Sequence, residues 1–435
     1  MMKNGSAASL LVVIAAVVAA AASAASAAGV GTNCAGNVNT NTFWSGTPTL
    51  VRTVANGTLW SVGDAASGIV QVAHVYGSAY DRGFAHGQLL KDDIQALYPQ
   101  FFGYLYQQIA PYLKALPKDI QIIIERDGVI AGLEYTFELT KAHTPQRFFD
   151  EMQGLADGSG IPYKQVINLH MFPELIKAAC SMMGSWGPAI AKTNGTVFQL
   201  RALDWGTDSP LTNYPLLLVS HPQAGDGNEF ASLAWKGFIG SITGYSHKMG
   251  VSEKVWAGYN ETSSRAGIPF HFLLRDIAQY DRSLSDAINR MVNNPRTCAI
   301  FVGIGSSHDN QFRACEYSNP SLNVFDDVNY PTYANHPLME GLVFVDKHVQ
   351  PSNDPCMTSL VTANYGQLDA ETIIRQVIGP FQTGDLHAAA YDFGNNVMYI
   401  GVASNTTSGV VVPAYARPFL KLDMSQILAQ QLVEL

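Results

Sequence analysis

Apolar residues in the first part of the chain recur with helical spacing. From Gly83 to Leu116 they follow one another every three or four residues, which predicts a helix with one apolar face. Thr144-Pro145, an N-cap residue followed by proline, predicts the start of another helix that ends near Gly158. Further helices are predicted over 119–139, 162–173 and 267–291.

Beyond residue 180 the pattern changes to that of strands. Asn194-Gly195, a dipeptide typical of hairpin turns, separates the strand-like runs 185–192 and 197–205. Strand-like runs with glycine-rich turns continue to residue 259, and a hairpin around Gly394 closes the pattern. Two short strand-like runs also precede the first helix. Helices and strands therefore come in blocks, which favours an α+β protein with antiparallel sheets covered by helices over a parallel βαβ series.

The first 28 residues have the pattern of a secretory signal peptide. Lys3 precedes an apolar run from Leu10 to Ala22, and small residues offer cleavage sites at 24–28. No later apolar run approaches the 18 or so residues that a membrane-spanning helix needs. We expect a secreted or lysosomal protein without a stable membrane anchor.

Composition and charge narrow the classes of partner. The formal net charge is −9 and no cluster of lysines and arginines offsets it, so a nucleic-acid partner is not expected. The 11 histidines are scattered singly, which argues against a metal site. Neither a phosphate-binding loop nor a dinucleotide-binding glycine motif is present. We therefore expect no cofactor.

The five cysteines allow two disulfides and one remaining thiol. Cys298 and Cys315 lie in neighbouring strand-like runs, so a cross-strand disulfide between them is one option. Cys34 would then pair with Cys356, and Cys180 would keep a free thiol. Four sequons in the expected mature chain are candidate glycosylation sites, at Asn56, Asn194, Asn260 and Asn405.

Cys180 is the candidate nucleophile. Arg201 and Asp204 follow it by 21 and 24 residues in the run VFQLRALDW. A thiolate needs a nearby cation, which an arginine supplies permanently, and a carboxylate can hold an amine. Residues three apart face opposite ways in a regular strand, so both can reach Cys180 only if the strand ends or bulges near Leu203. An ordinary surface ion pair is the alternative.

Several segments, in order, resemble one known family. GSAYDRGFAHGQLL, CSMMGSWG, TNGTVFQLRALDW, GSITGYSHKMGVSE and HAAAYDFGNNVMYI are similar to motifs of the acyl-coenzyme A:6-aminopenicillanic acid acyltransferase-like group of N-terminal-nucleophile hydrolases. The resemblance spans roughly Tyr76 to Gly401. It looks closest to a protist branch of secreted proteins similar to acid ceramidase.

This resemblance implies an αββα sandwich made from a self-cleaving precursor. The bond cut would be Ala179–Cys180, which divides the mature chain into a helical segment, 29–179, and a catalytic segment, 180–435. The new terminus would give Cys180 its own α-amine as general base, since such an amine titrates near ~7.7–8.

Roles for individual residues follow from the same resemblance. Cys180 is expected to be the nucleophile, Arg201 to stabilise its thiolate, and Asp204 to anchor the α-amine. Asn335 resembles an oxyanion-hole donor, although a surface-turn asparagine is the alternative. Trp205 and Glu253 are expected to bind substrate, and a solvated strand end is the alternative for Glu253.

The implied function is an amidohydrolase or acyltransferase. It would cleave a linear carbon–nitrogen amide, in an N-acyl lipid or N-acyl amino acid, through a cysteine thioester. Three alternatives stay open: a catalytically silent secreted glycoprotein of the same fold, a histidine-assisted cysteine hydrolase without self-cleavage, and an ester hydrolase similar to phospholipase B.

Overall fold

The computed structural model describes residues 34–259, 264–405 and 409–432. The predicted signal peptide and the sequon residue Asn260 lie outside these ranges. Eighteen strands are present in them: β1 Thr49–Val54, β2 Gly57–Val62, β3 Val70–Gly77, β4 Ala179–Ser185, β5 Phe198–Asp204, β6 Pro215–Pro222, β7 Phe230–Trp235, β8 Thr243–Tyr245, β9 Met249–Val255, β10 Ala299–Ser306, β11 Gln311–Ser318, β12 Leu322–Phe325, β13 Leu342–Val345, β14 His387–Asp392, β15 Val397–Val402, β16 Ser404–Asn405, β17 Val411–Val412 and β18 Leu420–Asp423.

The α-helices of the described ranges are as follows: α1 Ala79–Leu89, α2 Lys91–Gln108, α3 Lys118–Asp127, α4 Val129–Thr140, α5 Gln146–Ser159, α6 Tyr163–Leu175, α7 Phe270–Tyr280, α8 Leu284–Asn293, α9 Cys356–Ala363, α10 Ala370–Thr372, α11 Gly379–Phe381 and α12 Met424–Leu428. A π-helical stretch, Ile373–Ile378, joins α10 to α11. Short 3₁₀ turns cover Ala110–Ala115, Gly187–Thr193, Pro210–Asn213 and Ala414–Ala416.

The strands form two large sheets. One has ten strands in the order β1-β2-β3-β6-β7-β8-β9-β10-β11-β12, and the other has six in the order β13-β4-β5-β14-β15-β18. All neighbours in them are antiparallel except β3 and β6, which run parallel. The segment before residue 180 contributes three strands to the larger sheet as well as six helices. The front of the chain is thus part of the sandwich and is not helical throughout.

Three apolar cores give the molecule its layers. One lies between helices α1 to α8 and the ten-stranded sheet, a second lies between the two sheets, and a third lies between the six-stranded sheet and helices α9 to α11. The order helix, sheet, sheet, helix confirms the predicted α+β sandwich.

Helices α1 and α5 pack at very short range through glycines. A Cβ on Gly83 would lie 1.9 Å from the carbonyl oxygen of Glu151, and one on Gly154 would lie 2.2 Å from that of Tyr80. Real Cβ atoms do not approach so closely, so only glycine permits this contact. The motif GSAYDRGFAHG therefore has a structural explanation, as a packing surface of the helix layer.

Four predicted elements have wrong boundaries. The helix predicted over 83–116 is α1, α2 and a 3₁₀ turn, and the one predicted over 119–139 is α3 and α4, separated by Gly128 with a φ of +91°. The run 185–192 was expected to be a strand, but β4 ends at Ser185 and a 3₁₀ turn follows from Gly187. Pro188 lacks the N–H that a ladder needs. The helix predicted over 267–291 is two helices, because Ser283 caps a new start by accepting from the Asp286 amide.

Of the two predicted disulfides, one is present and one is wrong. Cys34 is bonded to Cys356. Cys315 pairs with Val302 across β10 and β11, and Ala299 pairs with Ser318. Cys298 therefore lies four residues from register with Cys315, about 13 Å along the strand, and a disulfide spans at most about 7 Å between Cα atoms. The Cys298 thiol instead contacts the Glu174 carboxylate at 2.6 Å.

Three predicted glycosylation sites are among the described residues. Asn56 is half-buried, in the β1–β2 turn, and Asn194 is exposed. Asn405 is also exposed, and its amide donates to Asn213. In the described ranges, no helix combines the length and the apolar character needed to cross a bilayer.

Candidate active site

Cys180 is the second residue of β4, which lies between the edge strand β13 and β5 in the six-stranded sheet. It pairs with Leu203 of β5, and Ala179 pairs with Asp204. The thiol is fully buried and lies 3.5 Å from the carbonyl oxygen of Ala178, while Ala179 is exposed. The peptide bond expected to be cut therefore joins one exposed residue, between buried Ala178 and Cys180, to the buried cysteine.

Arg201 is buried beside this strand. It pairs with Met182 of β4 and is fully buried. Its Nε donates to the carbonyl of Ile242 at 3.3 Å, and Nη2 lies 3.6 Å from Oε2 of Glu253. Within the described ranges, Nη1 and Nη2 have no hydrogen-bond partner. Buried donors are nearly always satisfied, so these two nitrogens are suited to meet a ligand or a reacting group.

Asp204 is the last residue of β5, and its carboxylate accepts hydrogen bonds from the loop before β14. Thr383 donates to its Oδ2 at 2.7 Å, and the Gly384 amide donates to Oδ1 at 2.7 Å. The Thr383 hydroxyl also lies 2.8 Å from that of Ser181, the neighbour of Cys180. The ladder between β4 and β5 is regular as far as the Ala179–Asp204 pair, so Arg201 shares the sheet face of the Cys180 side chain and Asp204 lies on the opposite face.

The thiol of the uncut chain is kept protonated. Burial raises the pKa of Cys180 to about 12; Arg201 opposes this, while the carboxylates of Glu253 and Asp204 add to it. A thiol with so high a pKa forms almost no thiolate at neutral pH. The uncut form therefore lacks a ready nucleophile for an external substrate.

Glu253 provides a buried carboxyl group at the same place. It lies on β9, opposite Val302 of β10. Burial raises the pKa of Glu253 to about 7, and the nearby Arg201 and Lys177 oppose that rise. Its Oε1 has no hydrogen-bond partner among the described residues. A carboxyl group that titrates near neutral pH can give or take a proton during a reaction.

An apolar cavity lies next to the β4–β5 pair and Glu253. Its walls include Glu253, Leu203 and the side chains of several aromatic residues, namely Phe172, Trp205, Trp235, Phe238 and Phe270. The cavity has a volume of about 30 Å³, enough for about one or two water molecules. Residues 176–178, just before the bond expected to be cut, form part of the wall. A molecule larger than this volume can enter only if part of the wall moves.

The structure brings most of the predicted site residues together. Trp205 follows Asp204 and lines the cavity, and its indole N–H has no partner within the described residues. Asn335 is placed elsewhere. It lies in a turn before β13. The ring of its neighbour His336 is hydrogen-bonded to the Phe344 carbonyl, and Phe344 pairs with Met183 of β4 rather than with Cys180. Its carbonyl accepts from Thr358. The oxyanion-donor role expected of Asn335 has no support in this geometry.

Sequence reasoning missed the loop that holds Asp204. Thr383, Gly384 and Asp385 precede β14, and Gly384 has a φ of +91°, which favours glycine. Burial, with the neighbouring Asp204 carboxylate, raises the pKa of Asp385 to about 7, and Lys347 opposes this. The polar run Thr-Gly-Asp directly before an apolar strand is the signal that could have identified this loop.

Lys254 was also missed, because it reads as an ordinary strand residue. It is buried on β9, next to Glu253. Burial lowers its pKa, and the nearby Cys180 and Asp346 oppose this. Among the described residues no three His, Cys, Asp or Glu side chains group as metal ligands would.

The fold and the site together define an αββα sandwich with a candidate nucleophilic cysteine at the start of β4, an inner strand of the six-stranded sheet. No family model matches the chain. Protein dcd1A of Dictyostelium discoideum is 43% identical over 420 residues, 92% of this chain and 94% of that protein. Protein dcd1B of the same organism is 44% identical over 402 residues, 88% of this chain and 80% of that protein. The chain therefore belongs to the family of these dcd1 proteins.

Solved structures give more distant likenesses. An N-acylethanolamine-hydrolyzing acid amidase ortholog of Caenorhabditis elegans has a TM-score of 0.38 and 14% identity, over 49% of this chain and 93% of that one. A variant of conjugated bile acid hydrolase from Clostridium perfringens has a TM-score of 0.35 and 11% identity, over 56% of this chain and 93% of that one.

Proposed function

We propose that this protein is an N-terminal-nucleophile cysteine hydrolase that cuts its own Ala179–Cys180 bond and then cleaves a linear amide. The observation that carries the proposal is the position of this bond, directly opposite the Leu203–Asp204 bond, with the Arg201 side chain buried beside it. An arginine and an anchored carboxylate next to a cysteine at a strand start supply a cation for the thiolate and an anion for an amine.

Self-cleavage needs only the chain and one water molecule. The Cys180 sulfur attacks the carbonyl carbon of Ala179, the peptide C–N bond breaks, and the thiol proton passes to the departing nitrogen. That nitrogen becomes the α-amine of Cys180, and a thioester joins Ala179 to the sulfur. Water then adds to the thioester carbon and the C–S bond breaks, which leaves a carboxyl group on Ala179 and a free thiol on Cys180.

Turnover of an external amide repeats these steps with the new amine as base. The α-amine takes the thiol proton, the sulfur attacks the substrate carbonyl, and the proton passes to the leaving amine as its C–N bond breaks. Water hydrolyses the resulting thioester to a carboxylic acid and the thiol. Another acyl acceptor in place of water would make the same enzyme an acyltransferase. Asp204 is well placed to hold the protonated amine, because it lies opposite Ala179.

Cleavage also has a steric purpose. The cavity of about 30 Å³ is partly walled by residues 176–178, and ligand sites for drug-sized molecules are about tenfold larger or more. A cut after Ala179 frees the end of this segment to move away from Trp205 and Glu253. The thiol would then also lie next to a cationic amine, which favours its thiolate.

The lining of the cavity indicates the kind of substrate. Its aromatic and aliphatic walls suit an apolar acyl group, and two polar atoms of the lining lack a hydrogen-bond partner within the described residues: Glu253 Oε1 and the Trp205 indole nitrogen. Arg201 Nη2 lies 3.6 Å from the other Glu253 oxygen. Such a site suits an N-acyl lipid or N-acyl amino acid, with the acyl chain in the cavity and the amide at Cys180. A secreted or lysosomal location is part of the proposal, and it is supported by the Cys34–Cys356 disulfide.

The experiment that tests this proposal is mass spectrometry of the protein from a secreting host, followed by turnover assays. We expect a new terminus beginning CSMMGSWG, and release of free acid from fatty-acyl amides by the cut form alone. The Cys180→Ala protein should show neither. An intact chain that persists for days at acidic and neutral pH without amide turnover would rule out the proposal.

A further inference from the structure

The loop 236–242 joins β7 to β8 and contacts the helix layer through its backbone. The Gly237 amide donates to Nε2 of His86 at 3.0 Å, and the Gly237 carbonyl accepts from the Tyr98 hydroxyl at 3.0 Å. His86 comes from α1 and Tyr98 from α2. Side chains therefore satisfy both backbone groups where no neighbouring strand does so.

Two residues further on the arrangement is repeated. The Ile239 amide donates to Nε2 of His170 at 3.0 Å, and the Ile239 carbonyl accepts from Arg275 at 2.9 Å. His170 comes from α6, and its Nδ1 lies 2.7 Å from the Val166 carbonyl. That contact places the proton on Nδ1 and leaves Nε2 as an acceptor. Both histidines hold the loop as neutral imidazoles.

The same loop reaches the candidate active site. Its last residue, Ile242, accepts from Nε of Arg201 at 3.3 Å. Phe238 and Ile242 also line the cavity beside Cys180. Within the described residues, Nε is the only nitrogen of the Arg201 guanidinium with a hydrogen-bond acceptor, and that acceptor is the Ile242 carbonyl. Movement of the loop would release the guanidinium from its position.

We propose that His86 and His170 are positioning residues that hold the 236–242 loop, and through it Arg201, in the geometry the reaction needs. The role of Arg201 rests on the proposed function, whereas the attachment of the loop does not. Both histidines lie before the bond expected to be cut, so residues of the first segment set the position of an arginine in the second.

The attachment depends on pH, because a protonated imidazole cannot accept a hydrogen bond at Nε2. Burial lowers the pKa of both His86 and His170 to about 4. The charged or titratable groups that face them are Glu151, which raises both values, and Arg275, which lowers both. His170 also lowers the pKa of His86. His271 donates to the His170 carbonyl at 2.7 Å, and burial keeps its own pKa well below 6.5.

The sign of the effect follows from these directions. A histidine whose pKa is lowered by folding makes the folded state less stable as the pH falls below about 6.5, until it takes up a proton near its folded pKa. The loop is therefore expected to stay attached through mildly acidic pH and to come free below about pH 4.

Hydrogen exchange of the full-length Cys180→Ala protein tests the attachment without any need for catalysis. We compare His86→Leu, which removes the acceptor, with His86→Gln, whose amide oxygen can take the place of Nε2 and does not titrate. His336→Leu is the control for loss of a buried imidazole away from the loop. Peptides covering 236–242 should exchange about tenfold faster in His86→Leu at neutral pH, the effect of losing one hydrogen bond to a buried group. His86→Gln and His336→Leu should match the parent.

The same substitutions in the active chain test the consequence for Arg201. His86→Leu should slow self-cleavage and lower kcat/KM by about tenfold, because the loop carries both the acceptor of Arg201 and two residues of the cavity wall. The double variant His86→Gln/His170→Gln should keep loop protection to a lower pH than the parent, after correction for intrinsic exchange. Unchanged loop exchange in His86→Leu, or the same loss of protection with pH in the double variant, would overturn the inference. Faster loop exchange in a protein that cleaves no amide would leave the inference standing and refute the proposed function.

Discussion

Ala179 and Asp204 are direct partners across β4 and β5, so the peptide bond after Ala179 begins beside a carboxylate that is already anchored. Thr383 and the Gly384 amide hold that carboxylate. The proposed anchor for a new α-amine is thus held in place in the uncut chain. This relationship makes the site testable in the uncut chain as well as in the cut one.

Replacing the cysteine should abolish both proposed reactions. Cys180→Ala removes the attacking sulfur, so we expect one uncut chain and no amide turnover, measured by mass spectrometry and release of free acid. Cys315→Ala is the matched control, since it deletes another fully buried thiol on β11. The control should process and turn over normally. Cleavage of the Cys180→Ala chain after Ala179 would contradict the assignment.

The hydrogen bond from Thr383 to Asp204 should contribute to catalysis only when both residues are present. Thr383→Val removes a donor to a buried carboxylate, a loss of about 1–3 kcal/mol for a hydrogen bond to a charged group. We expect kcat/KM to fall about tenfold or more, and Asp204→Asn/Thr383→Val to be hardly worse than Asp204→Asn alone. Thr136→Val, which removes a buried hydroxyl in α4, is the control. Additive effects in this double-mutant cycle would separate the two residues.

Arginine at position 201 should not be replaceable by lysine. A lysine keeps the charge but cannot both donate from Nε to Ile242 and extend two further nitrogens toward the site. We expect Arg201→Lys to lose self-cleavage or to slow it by about 100-fold, about 3 kcal/mol in barrier height. The control is Arg290→Lys. Arg290 lies in α8 and forms an ion pair with Asp281. Wild-type processing in Arg201→Lys would remove the residue from the mechanism.

The ionisation of Glu253 should make the free energy of unfolding depend on pH. Its pKa is raised to about 7 from 4.5, so the folded state binds more protons than the unfolded state between these values. Stability contributed by this group is therefore lost as the pH rises from about 4.5 to about 7, by about 3 kcal/mol in total. Denaturant unfolding of Cys180→Ala with and without Glu253→Gln should show a difference that changes over this window. A constant difference between pH 4 and 8 would contradict the assignment of the pKa, and the half-buried Glu316→Gln provides the control.

The glycine contacts between α1 and α5 should be intolerant of a methyl group. Gly83→Ala places Cβ against the Glu151 carbonyl, and overpacking of this kind costs about 1–3 kcal/mol. Gly103→Ala is the matched control, because its Cβ meets nothing within 4 Å among the described residues. In α2 this change should stabilise the protein by about 0.5–1 kcal/mol. Equal melting temperatures for the two variants would refute the packing argument.

Much of the sandwich could be predicted from the sequence because its signals are local. Apolar spacing identified the helices and strands, and the order of blocks indicated antiparallel sheets. Cys180, Arg201 and Asp204 could be grouped because they lie on two adjacent strands within 25 positions of one another. The partner of Asp204 could not, since Thr383 is 179 positions away. No pattern in one sequence joins residues that only the fold brings together.

The errors have the same physical origin. Cys298 and Cys315 lie on neighbouring strands, but register decides whether two side chains meet, and here they are offset by four residues. The role of Asn335 is not one of these errors and stays a prediction; its turn precedes β13, whose ladder with β4 covers Met182 to Ser185. The histidines that hold loop 236–242 gave no sequence signal, because their partners are backbone amides of a distant loop.

The Cys34–Cys356 disulfide would link the two segments covalently after cleavage at Ala179–Cys180. It joins a residue before Ala179 to one after Cys180, so the two products of cleavage would remain a single covalent molecule. A tether of this kind replaces an association between separate molecules with an intramolecular contact at high effective concentration. Specific activity of the cut protein should then be unaffected by dilution. Only after a reductant opens the bridge should the helices that carry His86 and His170 be able to leave.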